Sequence, residues 1–192
     1  MIEFLRPLAF RLAMVIAPRA VVTMVGGGVV AGFGSQIIDL RGQLPTSIEK
    51  HYGHRPVENI KGVVWHHSAT RGQSIHTIAE YHIEVRGWPG IAYHYAIGWD
   101  GVVYALNSPE TISYQSEGYN SKTIGVVLIG NYEERDLTPE MEASIIKLND
   151  YLHGEFNLQF AWLHRDTKST LCPGRYATEF LRPYLYGALP GK

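Results

Sequence analysis

The sequence contains little cysteine and little net charge. Its 192 residues include one cysteine, Cys172, so no internal disulfide can form and packing must hold the fold together. The 17 basic and 18 acidic side chains leave a formal net charge of -1, which gives no general electrostatic attraction to nucleic acid or to an anionic membrane. We therefore expect no nucleic-acid partner. Hydrophobic residues make up 45% of the chain, which is enough for the core of one ordinary domain.

The first 40 residues form an apolar N-terminal segment that differs from the rest of the chain. Residues 20–38 are uncharged and rich in Gly and Val, and their number approaches the roughly 20 residues that a helix needs to cross a bilayer. Basic residues precede this run and Asp39 follows it, which favours an amino terminus inside the cell and a domain outside. A glycine triplet weakens the run as a helix. Three interpretations stay open: a weakly held membrane or signal-anchor segment, an apolar arm that packs on its own protein or on a partner, and a cleaved signal.

The rest of the chain divides into a linker and a folded domain. Residues 41–59 are polar and contain two prolines, which is typical of a linker or of an arm that crosses a surface. At residues 60–187 strands alternate with helices, so the expected fold class is α/β, with a central mixed β-sheet flanked by helices. The expected elements are a strand at 60–69, a helix from Ser74 to about Arg86, two strands joined by the Asp100-Gly101 turn, a strand at 123–132, a helix from Thr138 to about Gly154, a strand at 160–166 and a helix at 177–187.

Three side chains of metal-binding type lie at the ends of expected strands or just after them. His66 follows KGVVW, His164 follows FAWL, and Cys172 comes eight residues after His164. Imidazole and thiolate together suit zinc, and three protein ligands leave the fourth tetrahedral position for water, as in a catalytic site. The spacing alone leaves a second interpretation open, in which the triplet is accidental and Cys172 is an inert packing residue.

Four sequence blocks, taken in order, carry a resemblance to a known family. They are WHHSAT at 65–70, GWPGIAYHYAIGWDGVVY at 87–104, GYNSKTIGVVLIGNY at 118–132 and HRDTKSTLCPG at 164–174. Through these blocks the chain resembles, over about residues 60 to 185, the zinc amidases shared by phage amidase-type lysozymes and peptidoglycan recognition proteins. Members cleave the amide between N-acetylmuramic acid and the L-alanine of the stem peptide. The resemblance therefore implies an N-acetylmuramoyl-L-alanine amidase that holds Zn2+ and acts on bacterial peptidoglycan.

The resemblance also implies roles for five residues. It places the metal ligands at His66, His164 and Cys172, a catalytic tyrosine at Tyr93, and at Thr170 a position where relatives carry Lys or Thr. Zinc lowers the pKa of its bound water and polarises the scissile carbonyl. The Tyr93 phenol and the Thr170 hydroxyl are expected to hydrogen-bond the zinc water or the developing oxyanion. The alternatives are an interior strand tyrosine and a loop hydroxyl bonded to its own backbone.

Substrate contacts are expected at four further residues. Trp88, Tyr119 and Asn120 occupy positions where the family often lines its groove, and aromatic faces with amide side chains suit sugars and peptides. Gln115 stands where many relatives have a histidine. A neutral amide at this position is expected to alter how the stem peptide or the carbonyl is held.

Other polar residues are expected to have structural roles. His67 and His94 alternate to the opposite strand faces from the site residues that precede them, and His67 could also support a ligand from behind. His82 lies on the apolar face of a helix, where a packed histidine is expected and a place in the wall of the site is the alternative. Asp166 is expected either to orient a ligand histidine or the ligand loop, or to make a salt bridge or turn bond.

Three functional classes are compatible with these features: a lytic amidase such as a phage endolysin or virion-associated lysin, a bacterial amidase that trims or recycles wall fragments, and a module that binds peptidoglycan without cutting it. Cys172 and Tyr93 argue against the third, since loss of the thiolate ligand is the simplest way to lose zinc. A cytosolic recycling enzyme has no need of residues 20–38, so the lytic class is favoured. We expect the protein outside the cytoplasm at the cell wall, in one interpretation after a transient membrane-anchored state. Residues 1–40 are the segment that would contact a membrane or a virion protein.

Overall fold

Eight short strands are present in residues 33–189, the part of the chain that the computed structural model describes. The strands are β1 (Ile38–Asp39), β2 (Gly53–His54), β3 (Gly62–His67), β4 (Tyr95–Ile97), β5 (Val103–Ala105), β6 (Thr111–Ile112), β7 (Thr123–Leu128) and β8 (Phe160–Leu163). Six of them form a sheet in the order β1-β5-β4-β7-β3-β8, and β2 pairs with β6 in a separate antiparallel ribbon.

The larger sheet is mixed, as expected. β4 and β5 are antiparallel and flank the Asp100-Gly101 turn, whereas the other four pairs of neighbours are parallel. Every residue of β3 and β7 is buried, which agrees with their nearly continuous apolar sequences. These two strands lie in the middle of the sheet. Because they are parallel, their carboxyl ends lie at the same edge of the sheet.

The described residues contain four α-helices, and two of them begin where the sequence predicts. They are α1 (Ile75–Glu84), α2 (Pro139–Glu155), α3 (His164–Thr167) and α4 (Arg175–Leu181). Ser74 Oγ accepts a hydrogen bond from the Thr77 amide at 3.1 Å at the start of α1. At the start of α2, Thr138 Oγ1 accepts one from the Met141 amide at 3.1 Å. Both side chains thereby satisfy amide groups that the first turn leaves without an intrahelical partner.

Apolar side chains fill both faces of the sheet. On one face, α2 and α4 pack against a cluster that includes Val126 of β7. On the other face, Ile78 and Ala79 of α1 pack with Val127 of the same strand. Successive residues of a strand point to opposite faces, so one strand contributes to both layers. The expected central sheet flanked by helices is confirmed.

Residues 41–59, for which the sequence leaves a linker and an arm that crosses a surface open, are bonded to the domain in the structure. The Ser47 amide and the Tyr52 hydroxyl donate to backbone carbonyls of residues 89 and 90 at 2.8 and 2.7 Å. Arg55 is 4% exposed, and its guanidinium donates to the Pro109 carbonyl at 2.8 Å. Some polar side chains of this stretch therefore bond to the domain surface. Composition alone does not distinguish such a stretch from a solvated linker.

Two carboxy-terminal elements differ from their expected bounds. The last strand ends at Leu163 rather than 166, because Asp166 Oδ2 accepts the Leu163 amide at 2.9 Å and the chain turns into α3. The last helix ends at Leu181, and Pro183 lies in a 3-10 turn, Arg182–Tyr184, that follows it.

Most of the apolar N-terminal segment, residues 1–32, lies outside the described part of the chain, so the interpretations of that segment stay predictions. Its last residues belong to the domain: the Phe33 ring packs edge-on against Tyr151, with ring centroids 6.1 Å apart. Within residues 33–189, no helix has the length and apolarity that crossing a membrane requires.

Candidate metal centre

His66 and His164 are brought together by the pairing of two parallel strands. β3 and β8 are neighbours in a register that places Trp65 opposite Leu163. His66 follows Trp65 and His164 follows Leu163, so the two histidines come at the same end of the strand pair. The carboxyl ends of parallel strands meet at one edge of a sheet, which is where α/β proteins commonly place their sites. The two imidazole rings accordingly lie with their centroids 4.5 Å apart.

Cys172 joins the two histidines from the loop between α3 and α4. Its Sγ accepts a hydrogen bond from the His67 amide at 3.3 Å, and its carbonyl accepts one from the Arg165 amide at 3.0 Å. These bonds attach the loop to the ends of β3 and β8. Ligand atoms of His66, His164 and Cys172 all lie within 4.8 Å of one another.

The spacing and chemistry of these three donors fit a zinc ion. Two ligands that bind tetrahedral zinc at about 2.0–2.3 Å lie roughly 3.5 Å apart, and Cys172 Sγ lies 3.8 Å from His66 Nδ1. Imidazole and thiolate favour zinc, whereas Mg2+ and Ca2+ prefer oxygen ligands. Three protein ligands also leave one tetrahedral position for water or substrate. The set therefore has the composition of a catalytic zinc site.

Burial favours the neutral form of each of these side chains. It is the main cause that holds the pKa of His66 well below the usual value, and the neighbouring His164 lowers it further. Burial likewise lowers the pKa of His164 to about 4 and raises the pKa of the Cys172 thiol to about 12. Neutral imidazole is the form that binds a metal, while the thiolate needs a cation beside it. A bound cation would offset the cost of forming that thiolate.

Tyr93 lies beside the cluster, two residues before β4. Its ring centroid is 5.2 Å from that of His66, and Asn107 Nδ2 donates to its carbonyl at 2.7 Å, which fixes the backbone. Burial raises the pKa of the Tyr93 phenol, and the nearby Cys172 raises it further. The phenol is therefore protonated at neutral pH and able to donate a hydrogen bond.

Thr170 lies within the Cys172 loop, and its hydroxyl bonds the loop backbone. Thr170 Oγ1 accepts a hydrogen bond from the Cys172 amide at 3.3 Å. This matches the structural alternative for Thr170. The bond uses a lone pair of the oxygen and not its proton, so the hydroxyl keeps a donor.

A groove of about 380 Å³ adjoins the cluster on the side of Tyr93, and Trp88 is part of its wall. The Trp88 ring lies 4.9 Å from the His82 ring, and the Arg86 guanidinium lies 4.8 Å above the Trp88 ring centroid. Trp88 therefore lies on the wall of a concave surface, and its contact with substrate stays a prediction. An aromatic face, a cation and a phenol line one concave surface.

Gln115 lies in the interior, beside His66. Its side chain is 5% exposed, and Oε1 lies 2.8 Å from His66 Nε2. The other end of the amide, Nε2, donates to Thr123 Oγ1 at 2.6 Å. The amide is thus buried and bonded at both ends, and one end contacts a candidate metal ligand. A contact of Gln115 with the stem peptide stays a prediction.

Tyr119 and Asn120 do not line the groove beside Tyr93. The Tyr119 ring packs edge-on against Trp162, with centroids 5.3 Å apart. Asn120 Oδ1 accepts a hydrogen bond from the Ser116 amide at 2.7 Å and so closes a turn. Their part in substrate binding stays a prediction.

Three other histidines and Asp166 make the structural bonds that we expected of such residues. His67 Nδ1 accepts the Tyr132 amide at 3.2 Å, and His82 Nδ1 accepts the Ala92 amide at 3.2 Å. His94 Nδ1 accepts the amide of Gly125 at 3.0 Å. Asp166 caps α3, as described above, and so fixes the chain where His164 begins the helix.

A second connection between the 113–122 loop and the cluster was not predicted. Ser116 Oγ donates to Thr167 Oγ1 at 2.8 Å, and Thr167 Oγ1 donates to the His164 carbonyl at 2.9 Å. Arg55 supports the same loop by donating to the Asn120 carbonyl. No sequence signal identifies these contacts, because Ser, Thr and Arg in polar stretches are usually solvated.

Comparison with known proteins places this arrangement in a family. The chain belongs to the N-acetylmuramoyl-L-alanine amidase family Amidase_2, whose sequence profile matches residues 56–175 and so includes all three members of the cluster. The chain is 31% identical over 128 residues to peptidoglycan-recognition protein SC1a of Drosophila melanogaster, which covers 61% of this chain and 69% of that protein. It is 28% identical over 116 residues to the endolysin of Enterobacteria phage K11, covering 56% and 76%.

Solved structures share the fold. The endolysin N-acetylmuramoyl-L-alanine amidase LysCS from Clostridium intestinale URNW superposes with a TM-score of 0.62 and 26% identity, covering 77% of this chain and 94% of that one. Peptidoglycan recognition protein-LE, solved with tracheal cytotoxin, superposes with a TM-score of 0.67 and 24% identity, covering 79% and 96%. The resemblance seen in the four sequence blocks is confirmed.

Proposed function

We propose that the chain is a zinc-dependent N-acetylmuramoyl-L-alanine amidase that cleaves bacterial peptidoglycan. The observation that carries this proposal is the convergence of His66, His164 and Cys172, with ligand atoms within 4.8 Å, beside a groove that contains Tyr93. Membership of the amidase family supports the same bond as the target. A zinc ion held by these ligands would lower the pKa of its bound water and polarise the scissile carbonyl.

The protein's own side chains supply binding and hydrogen bonds. A tyrosine phenol is protonated at neutral pH, so Tyr93 would donate to the oxygen that becomes negative when the carbonyl is attacked. Thr170 keeps its proton available while its oxygen holds the Cys172 amide. Trp88 offers a flat apolar face to the sugar or to the stem peptide in the groove.

A lytic role accords best with the whole chain. Similarity to the endolysin of phage K11 and to the endolysin LysCS supports an enzyme that attacks the wall. We propose that the protein acts outside the cytoplasm as a phage endolysin or virion-associated lysin, with the apolar N-terminal segment serving delivery. Similarity to peptidoglycan-recognition protein SC1a supports peptidoglycan as the partner and makes binding without cleavage the second candidate.

The test is digestion of purified peptidoglycan, followed by mass spectrometry of the new ends. The full-length protein is compared before and after chelation, and again after one equivalent of Zn2+ is restored. Free L-alanine amino ends that disappear with the chelator and return with zinc are expected. If the protein bound zinc and peptidoglycan but produced no new ends, it would be a binding module. If it neither bound zinc nor cleaved peptidoglycan, the proposal would be refuted.

A further inference from the structure

Three hydrogen bonds in series determine which nitrogen of His66 carries a proton. The series starts at the Tyr119 carbonyl, which only accepts, and which receives the Thr123 hydroxyl at 2.8 Å. With its proton used there, Thr123 Oγ1 must accept from its second partner, and that partner is Gln115 Nε2 at 2.6 Å. The Gln115 amide is thereby oriented with Oε1 toward His66 Nε2, at 2.8 Å.

The orientation of Gln115 decides the tautomer of His66. An amide oxygen carries no proton, so His66 Nε2 must be the donor across the 2.8 Å contact. In neutral imidazole the other nitrogen then has a free lone pair. That nitrogen, Nδ1, lies 3.8 Å from Cys172 Sγ, inside the candidate metal centre.

We propose that Gln115 is a positioning residue, which holds His66 in the one tautomer and ring orientation that binds the metal. The proposal rests on the zinc amidase function, because it concerns how a zinc ligand is prepared. His66 is 1% exposed and Gln115 is 5% exposed, so water does not readily replace the amide as the partner of Nε2. Partners of this kind fix the tautomer and raise the basicity of ligand histidines.

The backbone of β7 provides the space that Gln115 needs. A Cβ added at Gly125 would lie 2.6 Å from Gln115 Cγ and 3.0 Å from its Cδ. Such distances are below van der Waals contact, so a side chain at Gly125 would push the amide away from His66. The absence of a side chain in the middle of a buried strand is therefore part of the same arrangement.

The first test reads the tautomer directly in the wild-type protein after chelation. Long-range 1H-15N NMR correlations distinguish Nε2-H from Nδ1-H imidazole, and the His66 signals are assigned with a His66→Gln variant. We expect His66 in the Nε2-H form. The Nδ1-H form, or an even mixture of the two, would overturn the proposal, and this reading does not depend on any variant at Gln115 folding.

The second test measures zinc affinity in variants of full-length protein. Gln115→Met keeps the length of the side chain but removes the acceptor, and we expect it to weaken zinc binding about 10- to 100-fold. Gln115→Glu restores an acceptor for Nε2-H and is expected to recover most of that loss. Gln43→Met, which changes an exposed glutamine bonded to the Asp39 carbonyl, is the matched control and should bind zinc like the wild type.

The outcomes separate this proposal from the proposed function. Zinc binding by folded Gln115→Met that equals wild type would overturn the positioning role and leave the amidase function intact. Loss of affinity in Gln115→Met with recovery in Gln115→Glu would support it. A wild-type protein that binds no zinc would overturn both.

Discussion

Replacing Gly125 with alanine tests how tightly the site is built into the sheet. The added Cβ would lie 2.6 Å from Gln115 Cγ, so the Gln115 side chain must move, and it is enclosed by the core on all but 5% of its surface. Overpacking a core commonly costs about 1–3 kcal/mol, and a lost buried hydrogen bond adds about 1 kcal/mol or more. We therefore expect Gly125→Ala to lower the free energy of unfolding by about 2–4 kcal/mol, and to weaken zinc binding at least 10-fold.

Urea unfolding followed by circular dichroism, together with zinc titration, measures both effects. Gly154→Ala is the matched control, because Gly154 lies in α2 and a Cβ there meets nothing within 4 Å. The same chemical change in a helix should leave stability equal or higher, by up to about 1 kcal/mol, and zinc affinity unchanged. If Gly125→Ala matched Gly154→Ala in both measurements, the argument that Gly125 makes room for Gln115 would be refuted.

Three further predictions concern the phenol, the N-terminal segment and acid. Tyr93→Phe removes one donor to the developing oxyanion and should lower kcat about 100-fold with one zinc per chain retained; equal activity, or loss of zinc, would contradict the assigned role. Deleting residues 1–32 leaves the packing of Phe33 on Tyr151 in place. The shortened protein should retain its zinc and release dye from purified wall, but it should no longer lyse cells from inside. Loss of dye release would show that the segment is needed for catalysis. Burial and the neighbouring Arg55 lower the pKa of His94 to about 3 in the folded chain, against about 6.5 unfolded, so protons bind the unfolded state more strongly and acid destabilises the fold. His94 alone accounts for a loss of about 2 kcal/mol in the free energy of unfolding between pH 7 and pH 5. Burial also lowers the pKa of His66, His67, His82 and His164, so urea unfolding of the wild type with chelator present should show a larger loss than this. A pH-independent value would contradict the buried, neutral state of these histidines.

Much of the fold was predictable because its signals are local. The apolar runs that became β3 and β7 and the capping residues Ser74 and Thr138 act within a few positions of the chain. The ends of elements were less predictable, since a side chain elsewhere decides them. Asp166, for example, ends β8 by accepting the Leu163 amide. From the sequence alone, an acidic residue at this position is equally compatible with a solvated charge.

The metal-ligand candidates were predictable and their supports were not. His66, His164 and Cys172 stand out by residue type and by the sequence blocks around them. Gln115 carries no such signal, because its role depends on Thr123 and on the space above Gly125, both brought near by the pairing of strands. The sequence did not decide between a linker and a surface-crossing arm at 41–59 for a similar reason: the bonds of Tyr52 and Arg55 are long-range.

The proposed catalysis depends on a zinc ion that His66, His164 and Cys172 hold. The most direct test is metal analysis of purified wild type and Cys172→Ser, with dye release from peptidoglycan measured on the same samples. Serine keeps the size of the side chain but lacks the thiolate that binds zinc. We predict one zinc per chain with dye release in the wild type, and loss of both in Cys172→Ser. Normal zinc content in a folded Cys172→Ser protein would contradict the account.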